Sequence, residues 1–366
     1  MERRAVLLGS AAAALLPACA TTPRPIADAL TWKRLPTEPY AGKQDDIAFA
    51  TPALGWFGNG HGSLYRTLDG GESWVKIWEQ SGTFIRALGF IDQETGILGN
   101  VGVGSFPGVS DPTPLYRTRD GGKSWTPAQI YGPAPRGICA IDIVANRYID
   151  RGDRAERVIA HAAGRVGGPA HYLRSTDGGA SWRSADLSTQ TAAIYDVTFP
   201  FARTGFIAGS SDPELSQSRG LILRSEDGGD TWQEVYRSKR RFETVWKMHF
   251  PNAQTGYGTV QSYDPDPANV QRYVVKTTDG GRSWFELPLL ADARWRSFGI
   301  GFADGQTGWV GGNLGGVQTR DGGLSWTPTA MGKAVNKIRI VGYGGARKAF
   351  AIGAEVHRLD LSGLRI

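Results

Sequence analysis

The residues able to do chemistry in this chain are mostly cations with aromatic neighbours. Arg86, Arg136, Tyr195, Arg240, Arg241, Trp246, Lys247, Arg294, Trp295, Arg296 and Lys337 interleave the two types, with Lys239, Phe298 and Lys333 close by in sequence. A cationic surface studded with rings attracts acidic protein segments, anionic glycans and lipid head groups through charge and cation–π contact. Catalytic chemistry has thinner support. Asp142, Asp196 and Glu243 could supply the carboxylate pair of a glycan-cleaving enzyme, in which the two acids stand about 5–10 Å apart. His161 and His171 flank one loop, but two histidines without a third ligand read as surface residues and not as a metal site. Gly-x-Ser-x-Gly, phosphate-loop and dinucleotide fingerprints are missing from the sequence, and no cofactor or metal is expected.

The elements that must position these residues are set by a repeated phrase. SEDGGDTW at 225–232 recurs as TLDGGESW, TRDGGKSW, STDGGASW, TTDGGRSW and TRDGGLSW, placing Asp69, Asp120, Asp177, Asp227, Asp279 and Asp321 at intervals of 42 to 57 residues. Repetition at that period marks an array of equal four-stranded units. Six carboxylates in one shared context are structural: Asp accepts nearby backbone N–H groups, glycine permits positive φ, and the flanking hydroxyls close the turn. Three residues before the Asp stand Arg66, Arg117, Arg174, Arg224 and Lys276, a recurrence that puts these cations on unit edges and not around one ligand.

Each unit is expected to hold an apolar first strand, as in 85–90, 195–199, 246–250 and 298–302, a Gly-aromatic or Gly-aliphatic second strand, a third strand before the Asp, and a fourth opened by the Trp. Three further strands at 335–341, 348–353 and 355–361 lack the phrase, and 30–35 resembles a last strand without the other three. Together they complete one more unit, which closes the ring and removes its free edges. The fold class is therefore all-β, a seven-bladed β-propeller over residues 30–366 closed by pairing its N- and C-terminal strands. Within it, 145–157 is a charged extension, and Cys139 reads as a buried, inert thiol. Loops at 101–114, 162–170, 210–220 and 261–272 vary most and share the face opposite the Asp turns, where binding is expected together with the basic residues above.

Residues 1–18 carry Arg3-Arg4, an apolar run from Ala5 to Leu16, and Leu16-Pro17-Ala18 before Cys19. This resembles a bacterial lipoprotein signal, which implies cleavage before Cys19, lipid on its thiol, and 19–29 as a tether. The implied location is the periplasmic side of an outer membrane, with a soluble periplasmic or secreted protein as the alternative. The formal charge of +6 would suit nucleic acid, but export argues against that partner.

Ser/Thr-x-Asp-x-Gly-x-Ser/Thr-Trp is similar to the Asp-box, or bacterial-neuraminidase, repeat. With the count of seven and segments such as Phe250-Pro-Asn-Ala-Gln-Thr-Gly256-Tyr257, the chain resembles the photosystem II stability and assembly factor family. That resemblance implies a non-enzymatic scaffold that binds a membrane protein or envelope complex without a cofactor. The alternative is a glycan-acting hydrolase or carbohydrate-binding propeller. Sialidases fit poorly, because Phe84-Ile85-Arg86-Ala87 lacks the proline of their Arg-Ile-Pro segment.

Overall fold

The computed structural model describes residues 30–144, 158–201 and 203–364. The signal, Cys19, the tether and the charged extension 145–157 lie outside the described residues. Within them the repeated phrase folds the same way six times. The hydroxyl two residues before the Asp donates to its carboxylate, at 2.7 Å for Thr67–Asp69 and 2.8 Å for Ser225–Asp227. The hydroxyl four residues after it donates to the other oxygen at 2.6 Å in both turns. The paired glycines take φ of 68° and 90° at Gly70 and Gly71, and of 81° and 94° at Gly228 and Gly229. These bonds favour the ionised form: Ser124 and Thr118 outweigh desolvation and hold Asp120 down to about 2, and Asp279 and Asp321 are held as low, chiefly by Ser283 and Ser325.

The strands assemble into seven sheets arranged in a ring. Their innermost strands are Gln44–Phe49, Ile85–Phe90, Ala140–Val144, Ala193–Thr198, Glu243–His249, Ser297–Phe302 and Lys337–Val341, which define blades 1 to 7. Neighbouring inner strands touch in that order, and blade 7 returns to blade 1. Blade 7 is closed by the short N-terminal strand Lys33–Arg34, antiparallel to Val356–Asp360, with Lys33 opposite Arg358. Blade 3 gains a fifth strand, Gln129–Tyr131, which leaves blade 2 and runs parallel to Ser181–Asp186. No helix among the described residues is long and apolar enough to cross a membrane.

The core explains why a Phe recurs ahead of each Gly-aromatic pair. Phe250 follows the inner strand of blade 5 and lies over Gly256, where a Cβ would sit 2.3 Å from the ring. One face of Phe250 stacks on Phe206 of blade 4 at 4.4 Å, and Trp284 of its own Asp turn meets it edge-on at 5.8 Å. Trp56–Phe90 at 3.5 Å, His161–Phe199 at 3.5 Å and Tyr257–Phe302 at 3.6 Å repeat the stack at other blade junctions. The glycine is required because the phenyl ring occupies the space of its side chain, and the ring joins two blades by stacking on an aromatic ring of its neighbour. His161, expected at the surface, is fully buried in one of these stacks, where desolvation pushes its pKa down to about 3.

The recurring third-strand cations also join blades. Arg117, Arg174, Arg224 and Lys276 donate to the carbonyls of Gly178, Gly228, Gly280 and Gly322 in the next blade's Asp turn, at 2.8, 2.9, 3.2 and 2.8 Å. Arg358 does the same to Gly70 across the ring closure at 2.9 Å.

Candidate binding site: the central channel and its two mouths

Alternation along a strand would send every second inner-strand residue into the channel. Here five inner strands carry register shifts against their neighbours: between Gln44 and Asp46, Ile85 and Ala87, Ile194 and Asp196, Val245 and Met248, and Ser297 and Ile300. A bulge leaves a residue outside the ladder and re-aims its side chain. The residues so released include Asp45, Arg86, Tyr195, Trp246, Lys247 and Phe298, and they meet across the channel.

Arg86 of blade 2 is ion-paired with Asp45 of blade 1 and lies 5.5 Å from the ring of Trp246 in blade 5. Tyr195 stacks on Trp246 at 4.9 Å, and Phe298 stands 6.4 Å away on its other side. Lys43 adds a contact 5.8 Å from the Phe298 ring and 3.4 Å from Asp45. Burial opposes charge on both cations. It wins at Lys43, whose pKa is lowered, while at Arg86 the neighbouring Asp45 overrides it and the pKa rises. Desolvation pushes the Tyr195 phenol up to about 12. This set is a plug, filling the end of the channel away from the Asp turns.

Below the plug, carboxylates tie one inner strand to the next. Asp46 accepts the Leu88 amide at 2.9 Å and Lys337 Nζ at 2.8 Å. Asp196 accepts the Met248 amide at 2.9 Å and Lys247 Nζ at 3.2 Å. Asp142 accepts the Phe199 amide at 2.6 Å, and His249 Nδ1 accepts that of Phe302 at 3.2 Å. For Asp46 desolvation is the largest influence, yet Lys337 and Arg339 outweigh it and hold the carboxyl below its ordinary value. Burial, reinforced by repulsion from Arg339, brings Lys337 down to about 8.

The other end of the channel is a hollow of about 850 Å³. Its walls are the last residues of the inner strands and the turns that follow, including Pro52, Phe201, Pro251 and Tyr343, with Lys247, Lys337, Arg339 and Arg347 among the lining cations. The Asp turns share this face, because Gly70, Gly228 and Gly280 donate to Ala53, Arg203 and Gln254 in those same turns.

The expected open basic funnel on the opposite face is therefore corrected. Arg86, Tyr195, Trp246, Lys247 and Lys337 are buried in the channel, and Trp295 is buried below Gly312. Arg240 bridges Glu243 at 2.9 Å and Glu286 at 2.8 Å and lies 4.3 Å from the Tyr273 ring. Arg296 packs 4.4 Å from the Tyr263 ring, and Arg294 pairs with Asp292 at 3.0 Å. Arg136 and Arg241 stand exposed on the plugged face. The bulges are the physical reason: they turn the charges and rings toward one another, and the recess opens at the other mouth. Glu243 is engaged as well, receiving Tyr273 Oη at 2.6 Å, and desolvation raises its pKa. Among the described residues, no three His, Cys, Asp or Glu side chains gather as metal ligands.

Lys43, Asp45, Asp46, Arg339, Arg347 and Tyr343 were not singled out in the sequence. One signal was available: Asp46 and Asp196 each stand three residues before a Phe, Phe49 or Phe199, at the end of an apolar run.

No protein-family model matches the chain, and no curated protein is similar to it. Similar solved structures include YCF48 bound to D1 peptide, at 18% identity and TM-score 0.63 over 93% of this chain and 99% of that one. YCF48 from Cyanidioschyzon merolae follows at 17% and 0.62, over 90% and 98%. The GH74 enzyme of Niastella koreensis gives 14% and 0.56, over 86% of this chain and 51% of its own. At these identities the likeness shows the seven-bladed fold.

Proposed function

We propose that this chain is a non-enzymatic binding and assembly scaffold of the cell envelope, and that its partner is a membrane protein or membrane-protein complex. In this reading residues 1–18 direct export, lipid on Cys19 anchors the protein to the periplasmic side of the outer membrane, and 19–29 tether the propeller. The observation that carries it is the channel itself: a recess with a cationic lining, in which Asp142 and Asp196, and Asp46 behind the wall, are all bonded to backbone amides of the next blade. Such carboxylates hold blades together. The glycan-hydrolase alternative needs acids able to exchange protons with a substrate, and Asp142, Asp196 and Glu243 are committed elsewhere. A propeller of the same fold, YCF48, is described bound to a D1 peptide, which supports peptide capture as a use of this architecture.

The test is affinity capture of the intact protein from detergent-solubilised membranes, followed by incubation of the same preparation with a panel of polysaccharides. A reproducible membrane-protein partner and no release of reducing sugar are expected. Sugar release without a partner would replace the scaffold reading with the hydrolase.

A further inference from the structure

Resting on the scaffold reading, we propose that the hollow on the Asp-turn face seats an acidic peptide segment of the partner. Its lining holds four cations, Lys247, Lys337, Arg339 and Arg347, against the carboxylates of Asp142 and Asp196, with Asp46 behind Lys337. Each of these acids accepts an amide of the next blade, from Leu88, Phe199 or Met248, and Asp46 and Asp196 also hold Lys337 and Lys247.

The cations keep donors to spare. Lys337 Nζ donates to Asp46, while its ammonium group has three N–H donors. Arg347 donates from Nη1 to the Ala303 carbonyl at 2.6 Å, and its buried Nε has no acceptor among the described residues. Arg339 reaches the Ile47 carbonyl at 3.3 Å and stands 3.8 Å from Asp46. A buried donor without an acceptor is costly, and an incoming carboxylate supplies acceptors and opposite charge together.

The shape selects among anions. Trp246, Tyr195 and Phe298 block the far end, so the ligand enters and leaves through one mouth. Lys337 is only 7% exposed, which puts it beyond the reach of head groups in a bilayer resting on the rim turns. The rim offers apolar grips in Pro52, Phe201, Pro251 and Tyr343, the last 87% exposed. About 850 Å³ falls within the usual range for ligand pockets and admits a few residues of a turn or chain end.

The probe is a fluorescein-labelled decapeptide of alternating Glu and Ala, followed by anisotropy on the full mature protein. Binding is expected to weaken with salt and to fall at least tenfold in Arg339→Gln/Arg347→Gln. Arg241→Gln, on the plugged face, is expected to leave it unchanged. Melting curves identify any variant that fails to fold, and Tyr343→Ser at the exposed rim then serves as the second variant, with a several-fold loss expected. A C-terminally amidated peptide separates side-chain from terminal carboxylates as the seated group. Equal binding of a Gln-for-Glu peptide, unchanged affinity in folded basin variants, or binding of phosphatidylglycerol vesicles in place of the peptide would overturn the proposal. Membrane-partner capture separates the two readings. Capture that survives Arg339→Gln/Arg347→Gln removes the hollow and leaves the scaffold, whereas failure of the unmodified protein to capture a partner removes the scaffold itself.

Discussion

Replacing Asp196 with Ala removes one carboxylate that serves two blades. Its oxygens accept the Met248 amide at 2.9 Å and Lys247 Nζ at 3.2 Å, and the two side chains are 8% and 4% exposed. Breaking a buried pair by deleting one partner costs about 3–5 kcal/mol, because the other charge remains buried without compensation. Part of that cost is softened here, since Lys247 keeps the Tyr195 carbonyl at 2.6 Å. The orphaned Met248 amide adds about 1–3 kcal/mol. A total near 4 kcal/mol follows. A fold of this length has an unfolding entropy of roughly 0.7 kcal/mol/K, so the midpoint of thermal unfolding should drop by about 6 °C. Asp196→Ala/Lys247→Met removes both charges and leaves the Met248 amide and the Tyr195 carbonyl unpaired, so it should recover part of the loss. Urea denaturation of the single and double variants, read as a double-mutant cycle, measures this directly. A single variant costing below about 1 kcal/mol, or strictly additive effects, would refute the claim that this carboxylate clamps blades 4 and 5.

Three further outcomes follow from the same geometry. Deleting residues 30–35 removes the Lys33–Arg34 strand and the buried Trp32, which meets Trp309 edge-on at 5.7 Å; a sharp fall in melting temperature is expected, and an unchanged melt would deny the ring closure. Gly229→Ala forces an alanine to φ 94° with its Cβ 2.1 Å from Tyr172 Oη, so calorimetry should show a loss of at least about 1–2 kcal/mol. Lys337 titrates near pH 8 facing Asp46, Arg339, Lys247 and Asp196, and its proton supplies attraction for a carboxylate ligand. Affinity for the acidic peptide should therefore decline as pH rises through about 8. Because that pKa lies below the ordinary lysine value of 10.5, the unfolded chain binds the proton more tightly between the two. The Lys337 contribution to stability consequently rises with pH across that window.

The periodic features were legible because each arises from local sequence. Asp69 and its five counterparts, the glycines with positive φ, and the Phe-Gly-aromatic segments announce turns and packing that recur without reference to distant residues. The N-terminal strand was also readable, since blade 7 lacked a fourth strand until 30–35 was added. The channel was harder. A bulge inserts one unpaired residue, which changes the side toward which its neighbours point. Arg86, Tyr195 and Trp246 thus read as the rim of an open funnel, while the register shifts turn them into a plug. Arg240 was misread for another reason: its partners Glu243 and Glu286 belong to different strands of blade 5, and only the folded sheet brings them together. The third-strand arginines were placed on blade edges from their recurrence, but their acceptors are glycine carbonyls, which carry no side-chain signature.

Blade 7 gives the molecule a history as well as a shape. Its outermost strand, Lys33–Arg34, pairs with Val356–Asp360, so a strand made early in synthesis waits for one made much later. Contacts of such long sequence separation form late, because the loop must close before they contribute. Six blades can gather in order behind the advancing chain, but the circle has an open seam until its end arrives. During that interval the Lys33–Arg34 strand has no partner in its own chain, and it is the edge at risk of pairing with another copy. Closure of the ring therefore depends on two distant segments of the chain finding each other.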